Sequence, residues 1–250
     1  MKIDHPDMTR IPALRQLWQE AFGDSDAFLD TFFNTAFSTN RCLCVTDGEP
    51  VAAVYWFSCR WAGGKIAYLY ALAVKKSHRR RGLARALVEE TVKRLKAEGC
   101  RGAVLVPGEP ELFEMYRKMG FSHTLTVDVF ETEAGQAPAP LRKATPGVYA
   151  ALRKTLLPPG AVVQEGESLA FLGECAQLYA GTDILLAGHL EGETFVAMEF
   201  LGDRAAAPAV LAALGAKNGR FRTPGSGLEF AQYRSFDDSA APTYFALAFD

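Results

Sequence analysis

The sequence predicts an α/β protein whose first half folds around a mixed, mostly antiparallel sheet and whose second half is a smaller α+β domain. Three observations carry this expectation. Residues 66–74 are apolar on both alternating faces, as a strand covered on two sides must be. A basic loop then leads into residues 83–98, where Leu83, Leu87, Val88, Thr91, Val92 and Leu95 fall on one side of a helical wheel. Farther on, residues 133–146 hold Gly135, Pro138, Pro140 and Pro146, the composition of a linker.

In chain order, residues 10–22 carry Ile11, Leu14, Leu17 and Trp18 at helical spacing, and Gly23 is the expected stop. A second helix follows, capped by Asp24 or Ser25, with Phe28, Leu29, Phe32 and Phe33 on its apolar side. Residues 42–46 and 51–58 read as a hairpin around Asp47-Gly48-Glu49-Pro50. Beyond the central strand and its helix, Gly99 is a stop, residues 103–106 form a short strand, and Pro107-Gly108 turns the chain. Pro110 suits the first position of a third helix reaching Met119 and ending at Gly120. Residues 121–130 are again strand-like.

This gives a first domain at 1–132, a linker at 133–146 and a smaller domain at 147–250. The second part carries an internal echo. Residues 184–200 read as a hairpin around Glu191-Gly192-Glu193, residues 205–214 as an Ala-rich helix, and residues 219–225 match 101–108 in position and in their closing Pro-Gly. A degenerate copy of part of the first domain is the expectation, without its basic loop or third helix, and an unrelated α+β domain is the alternative. The closing segment TYFALAFD reads as a last strand reaching Asp250, to which no function is attached.

Charge and cysteine usage narrow the function classes. The chain has 27 Lys and Arg against 29 Asp and Glu, a net charge of −2, which argues against general nucleic-acid or membrane-surface binding. Positive charge is concentrated instead: residues 1–130 hold 18 basic and 15 acidic side chains, the remainder 9 and 14. Five cysteines without a C-x-x-C pair suit neither a disulfide framework nor a zinc site, and Cys42 and Cys44, on one strand face, read as small buried hydrophobes. The start MKIDHPDM lacks an apolar leader core and no 18-residue apolar run occurs, so a soluble, cytoplasmic protein is expected.

The most informative segment is 68–86. Five of the seven residues 75–81 are Lys75, Lys76, Arg79, Arg80 and Arg81, and Gly82 with the small Ala84 then opens the helix. Unpaired backbone N–H groups at a helix start, with the positive end of its dipole, bind anions, and a glycine lets a phosphate approach the main chain. A nucleotide-like cofactor is predicted. Lys75 and Lys76 read as exposed residues that add to the field, and His78 as a loop residue.

Arg79-x-x-Gly82-x-Ala84, after a strand containing Leu72-Ala73-Val74, and LFEMYRKMGF at 112–121, ending Tyr-x-x-x-Gly-Phe, resemble the GNAT superfamily of acyl-CoA-dependent N-acetyltransferases over roughly residues 1–130. The resemblance implies that the backbone N–H groups of Arg80, Arg81, Gly82, Leu83 and Ala84 hold the pyrophosphate of coenzyme A, with Arg85 at the edge and Arg79 in the motif's leading position. Backbone groups of Leu72 and Val74 would pair with the acetyl carbonyl and the pantetheine arm, as a short added strand would. Tyr116 would sit near the sulfur as the catalytic phenol. One departure is that the Asn often found before this tyrosine is absent, Val106-Pro107-Gly108 standing in its place.

The implied reaction is direct acetyl transfer from acetyl-CoA to a primary amine of a small molecule or peptide, in a ternary complex and without a metal. The rival reading is a non-catalytic acyl-CoA-binding or regulatory module. Glu109, Glu111 and Glu114 are weak candidates for a general base, since acidic residues at a helix start serve the dipole, and water relays the proton in much of the family. Trp18, Phe22, Phe28, Trp56 and Tyr70 are candidates for an acceptor pocket, with core packing the competing role. Glu20, Asp24, Asp26 and Asp30 would suit a cationic amine but read more readily as caps and solvated charges. The second domain is expected to shape the acceptor site or a homodimer contact.

Overall fold

The computed structural model describes residues 1–237 and 240–249. In the first half of the chain the elements are β1 (Lys2–Asp4), α1 (Ile11–Phe22), α2 (Asp26–Thr35), β2 (Cys42–Asp47), β3 (Glu49–Trp61), β4 (Gly64–Val74), α3 (Leu83–Ala97), β5 (Cys100–Leu105), α4 (Pro110–Arg117) and β6 (His123–Glu133). The second half holds β7 (Arg142–Lys143), α5 (Pro146–Leu156), β8 (Val163–Gln164), α6 (Glu167–Cys175), β9 (Gln177–Gly181), β10 (Ile184–Glu191), β11 (Thr194–Leu201), α7 (Ala207–Leu214), β12 (Asn218–Pro224) and β13 (Leu228–Ser235). Two compact units result: Met1–His123 with Gln232–Ala241, and Thr124–Ala231 with Pro242–Asp250.

The first unit has strand order β1-β2-β3-β4-β5-β13, antiparallel throughout except for the parallel pair β4/β5. Its helices begin and end where local chemistry directs. Gly23 adopts φ 79 and its N–H closes α1 on the carbonyl of Gln19 at 2.9 Å, a left-handed stop that glycine takes without a Cβ penalty. Of the two cap candidates, Ser25 caps α2, its Oγ accepting from the N–H of Phe28 at 3.2 Å. Asp24 accepts from Trp18 Nε1 at 2.7 Å instead.

One sheet face packs Leu43, Val54, Trp56, Leu69 and Leu105 with Leu87 and Val88 of α3 and Tyr116 of α4. The other gathers aromatic rings around Trp18 and Tyr55. Because side chains alternate along a strand, neighbours Tyr55 and Trp56 serve different faces.

The second unit has order β7-β9-β10-β11-β12-β6 with the same succession of directions, again parallel only at the pair joined by a helix, β11/β12. Two helices precede its meander, as in the first unit. The echo read from 184–225 is therefore a repeat of the strand order, and its core lies among Leu186, Phe195, Phe200, Val210, Leu211 and Phe221. The second unit differs from the first at the two connections that correspond to the basic loop and the third helix. The connection into α7 is capped by the carboxylate of Asp203, accepting from Ala205 N–H at 2.9 Å, and β12 turns into β13 without an intervening helix. A buried Arg153–Glu199 pair, 2.6 and 2.8 Å across two contacts and joined by the hydroxyl of Tyr149 at 3.1 Å, ties α5 to β11.

Two features were not expected. Residues 127–133 of β6 pair with β12 in the second unit, whereas Gln232–Ser235 of β13 pair with β5 in the first. Each unit thus includes a strand segment from the other half of the chain. Residues 133–146 also hydrogen-bond within the second unit, Ala134 N–H to Lys217 at 2.9 Å, and Gly135 and Ala139 N–H to Pro208 and Ala209 at 2.8 Å each. The expected closing strand is corrected: residues 243–249 form no ladder, only an isolated bridge at Tyr244 to Ala161, and Asp250 lies outside the described residues. The reason is that an apolar run this short satisfies burial equally well as irregular chain, here held by Thr243 N–H to Gly160 and Val162 N–H to Tyr244.

Candidate active site

The central strand loses its neighbour halfway along. Pairing of β4 with β5 ends at Leu69 opposite Leu105, while β4 runs on to Val74 and stays paired with β3 through Ala73 and Val74. At the same place β4 bulges: its register with β3 shifts between Ala53 and Tyr55, and Ala71 takes φ 49. Tyr70, Ala71 and Leu72 are half-buried, in a strand whose preceding residues 66–69 are buried. The main chain around Leu72 therefore borders a notch on its β5 side, the kind of open edge to which an extended arm adds as a strand.

The basic loop follows directly. Lys75 N–H returns to Val51 at 2.8 Å, a short 3-10 turn spans Lys76–His78, and Arg80 (φ 63) and Gly82 (φ 76) both take left-handed backbone. Gly82 is the residue before α3, and no side chain caps the helix. A Cβ placed on Gly82 would meet nothing within 4 Å, so the backbone conformation calls for glycine here, and the space above it is open. The first-turn N–H groups of Leu83, Ala84 and Arg85 have no carbonyl a turn earlier to bond. An uncapped helix start with open space beside it fits a pyrophosphate.

The arginines divide the work. Arg79 Nε donates to the Val74 carbonyl at 3.2 Å and Arg81 Nη2 to the Ser77 carbonyl at 3.0 Å, so these two brace the loop. Arg85 Nη2 donates to the Lys118 carbonyl at 2.7 Å, whereas Arg80 has no hydrogen-bond partner among the described residues. Lys76 N–H donates to Glu20 at 2.5 Å, and His78 sits against Ser77 and Asp47 as a loop residue.

Tyr116 lies on α4, 8% exposed, its ring edge-on to Phe121 at 6.1 Å and packed in the same core as Leu69 and Leu105. The motif Tyr-x-x-x-Gly-Phe has a local cause. Gly120 at φ 87 turns the chain back, so that the N–H groups of Met119 and Phe121 both reach the Tyr116 carbonyl, at 2.9 and 3.1 Å. Burial pushes the phenol up to about 12, and its hydroxyl has no hydrogen-bond partner among the described residues.

Of the acids near α4, Glu114 is held by Arg117 at 2.6 Å and Lys118 at 3.5 Å, and the Arg117 hydrogen bond lowers its pKa. Asp26 and Asp30 pair with Arg15 at 3.4 and 2.8 Å. Trp18 is the hub of the aromatic group, with ring centroids of Phe22, Phe28 and Tyr70 at 5.9, 6.4 and 5.6 Å. Trp56 does not join it, being on the α3 face, and Phe32, Phe33 and Tyr55 take part as well.

Two residues at the site were not legible in the sequence. Gln232 Nε2 donates to the Phe113 carbonyl of α4 at 3.1 Å and Arg234 Nη1 to the Met119 carbonyl, in the turn that follows α4, at 2.7 Å, one on each side of Tyr116. Both lie more than a hundred residues beyond the groups they touch, in a stretch without an apolar period. No helix among the described residues is long and apolar enough to cross a membrane.

Residues 11–121 match the model of the acetyltransferase (GNAT) family. Among solved structures, the chain is similar to a GCN5-related N-acetyltransferase from Anabaena variabilis ATCC 29413, with TM-score 0.73 and 13% identity over 94% of this chain and 72% of that one. A GCN5-related N-acetyltransferase from Kribbella flavida gives 0.70 and 17% over 94% and 71%, and a putative acetyltransferase from Pyrococcus horikoshii 0.65 and 16% over 99% and 94%. At such identities the likeness is one of fold. No match to a curated protein was found.

Proposed function

Since residues 11–121 are a GNAT acetyltransferase domain, we propose that the protein transfers an acetyl group from acetyl-CoA directly to a primary amine in a ternary complex. The observation that carries this reading is the adjacency of two openings in one continuous segment: the notch where β4 leaves β5 after Leu69, and the uncapped start of α3 at Gly82.

In this reading the N–H groups from Arg80 to Ala84 hold the pyrophosphate, and the main chain of Leu72 and Val74 binds the acetyl carbonyl and the pantetheine arm. Arg79 serves through its bond to the Val74 carbonyl, leaving less of that residue free for the arm. The amine lone pair attacks the carbonyl carbon, the C–S bond breaks, and the proton lost by nitrogen ends on sulfur. Tyr116 donates a hydrogen bond to the departing sulfur. Against a thiol of about 8.5, a phenol near 12 would lose roughly 5 kcal/mol on full proton transfer, so it stabilises the thiolate without surrendering its proton. Glu114, engaged by two cations, is a poor base, and a water relay is the proposed route for the amine proton. The transferase domain, expected at 1–132, is proposed to be the compact unit Met1–His123 with Gln232–Ala241, residues 124–132 belonging to the second unit.

The test is acetyl-CoA-dependent thiol release against polyamines, aminoglycosides, amino acids and short peptides, with Tyr116→Phe beside the wild type. Turnover on one class that falls in the variant supports the reading. Tight acetyl-CoA binding without turnover on any acceptor would favour the non-catalytic acyl-CoA-binding module.

A further inference from the structure

We infer that Gln232 and Arg234, two residues apart on β13, are positioning residues that hold α4 so that the Tyr116 hydroxyl meets the thioester sulfur. This rests on the role proposed for Tyr116. It goes beyond that role by placing part of the machinery in β13, more than a hundred residues after Tyr116.

The geometry is specific. Gln232 stands opposite Leu105 and Arg234 opposite Ala103 in the antiparallel pair β5/β13, so both side chains share the face on which Leu105 and Ala103 join the core with Tyr116. From there they grip main-chain oxygens, not side chains: Phe113 at 3.1 Å and Met119 at 2.7 Å. Arg234 is itself fixed by Glu89 of α3 through contacts of 2.8 and 3.1 Å. The two grips lie three residues to either side of Tyr116, the first inside α4 and the second on the turn that closes it.

A helix of eight residues without a side-chain cap at its start has little stability of its own, so its rotation about its axis is set by whatever holds it from outside. The carbonyl of Phe113 already accepts the N–H four residues on in an ideal helix, and a second donor from β13 therefore adds orientation. Packing alone does not account for Gln232. The residue is completely buried, and its Oε1 has no hydrogen-bond partner among the described residues. An unpaired buried acceptor carries a desolvation penalty that an apolar side chain of the same size would avoid. What the amide contributes there is the bond to α4.

The experiment uses the full chain with Gln232→Met, which keeps the volume, and Arg234→Lys, which keeps the charge facing Glu89. The protein is labelled with 13Cζ tyrosine, the Tyr116 signal is assigned by its loss in Tyr116→Phe, and coenzyme A is the probe. In the wild type the Tyr116 signal shifts on adding coenzyme A. In the variants the shift is expected to shrink by at least about half while coenzyme A affinity stays within about twofold, and thiol release, on any acceptor that turns over, falls roughly tenfold in kcat with acetyl-CoA KM little changed. An undiminished shift in both variants, or an equal kcat, overturns the inference while leaving Tyr116 in place. A wild-type Tyr116 signal that ignores coenzyme A removes the Tyr116 reading, and the inference with it.

Discussion

The guanidinium of Arg85 donates from Nη2 to the main-chain oxygen of Lys118 at 2.7 Å, joining the first turn of α3 to the end of α4. The start of α3 and the end of the tyrosine helix are thus tied directly to each other. Arg80, without a partner among the described residues, has no such duty. Arg80→Ala is expected to weaken coenzyme A binding about twofold to fivefold at low salt, and hardly at all at high salt, as befits an exposed charge. Arg85→Met should lower kcat as well as affinity. Calorimetric titration with coenzyme A at two ionic strengths, beside turnover, separates the two.

Gly82→Ala tests the loop without filling it. Nothing lies within 4 Å of the added carbon, yet φ 76 disfavours any L side chain. A cost of about 1–2 kcal/mol is expected, read as lower thermal stability and, as the first turn of α3 shifts to relieve it, a weaker fit to coenzyme A. Unchanged affinity and melting temperature would mean that the turn is not constrained as described.

Tyr116 predicts a pH dependence with a definite sign. Its folded-state value, near 12, lies above the ordinary value of 10 because burial disfavours the phenolate. The associated stability is present in full below pH 10 and is lost as pH rises toward 12, amounting to roughly 2–3 kcal/mol at most. Denaturant unfolding of wild type and Tyr116→Phe between pH 9 and 12 should show a steeper decline in the wild type. The same shift keeps the phenol protonated from pH 6 to 10, so the rise of kcat in that window should survive in Tyr116→Phe at a lower level and report the amine.

Residues 1–135 alone are expected to fail as a stable protein. They lack Gln232–Ser235, so β5 would end the sheet with an unpaired edge, and α4 would lose both of its grips from β13. Circular dichroism and size-exclusion chromatography of the fragment decide the matter. A monodisperse, cooperatively melting fragment would show that β13 is dispensable to the first unit.

The parts that were legible in the sequence are those whose causes are contiguous. Residues 66–86 announce a strand, a loop and a helix start because the apolar alternation, Gly82 and the helical period all lie within twenty positions, and Ser25 and Gly23 act within a few residues of themselves. The echo in the second half was visible for the same reason. What escaped depends on distant partners. β13 reads as Phe230, Gln232 and Arg234 on one side, a polar pattern that gives no sign of burial, yet Gln232 is fully enclosed. α5 hides its inner face in the same way, because Arg153 faces inward and is neutralised by Glu199, 46 residues away. Trp56 looked equivalent to the other aromatics because residue type carries no information about which face of the sheet a side chain takes.

The exchange of strand segments also sets a timetable. Leu105 and its partner Gln232 are separated by well over a hundred residues, which a ribosome adds at about 5–20 per second, so roughly ten seconds pass between the making of β5 and the arrival of its neighbour. During that interval the nascent first unit carries an open edge that cannot close. The first unit is therefore completed only after Gln232–Ser235 have been made, and any pause in translation between these strands prolongs the exposure of the edge.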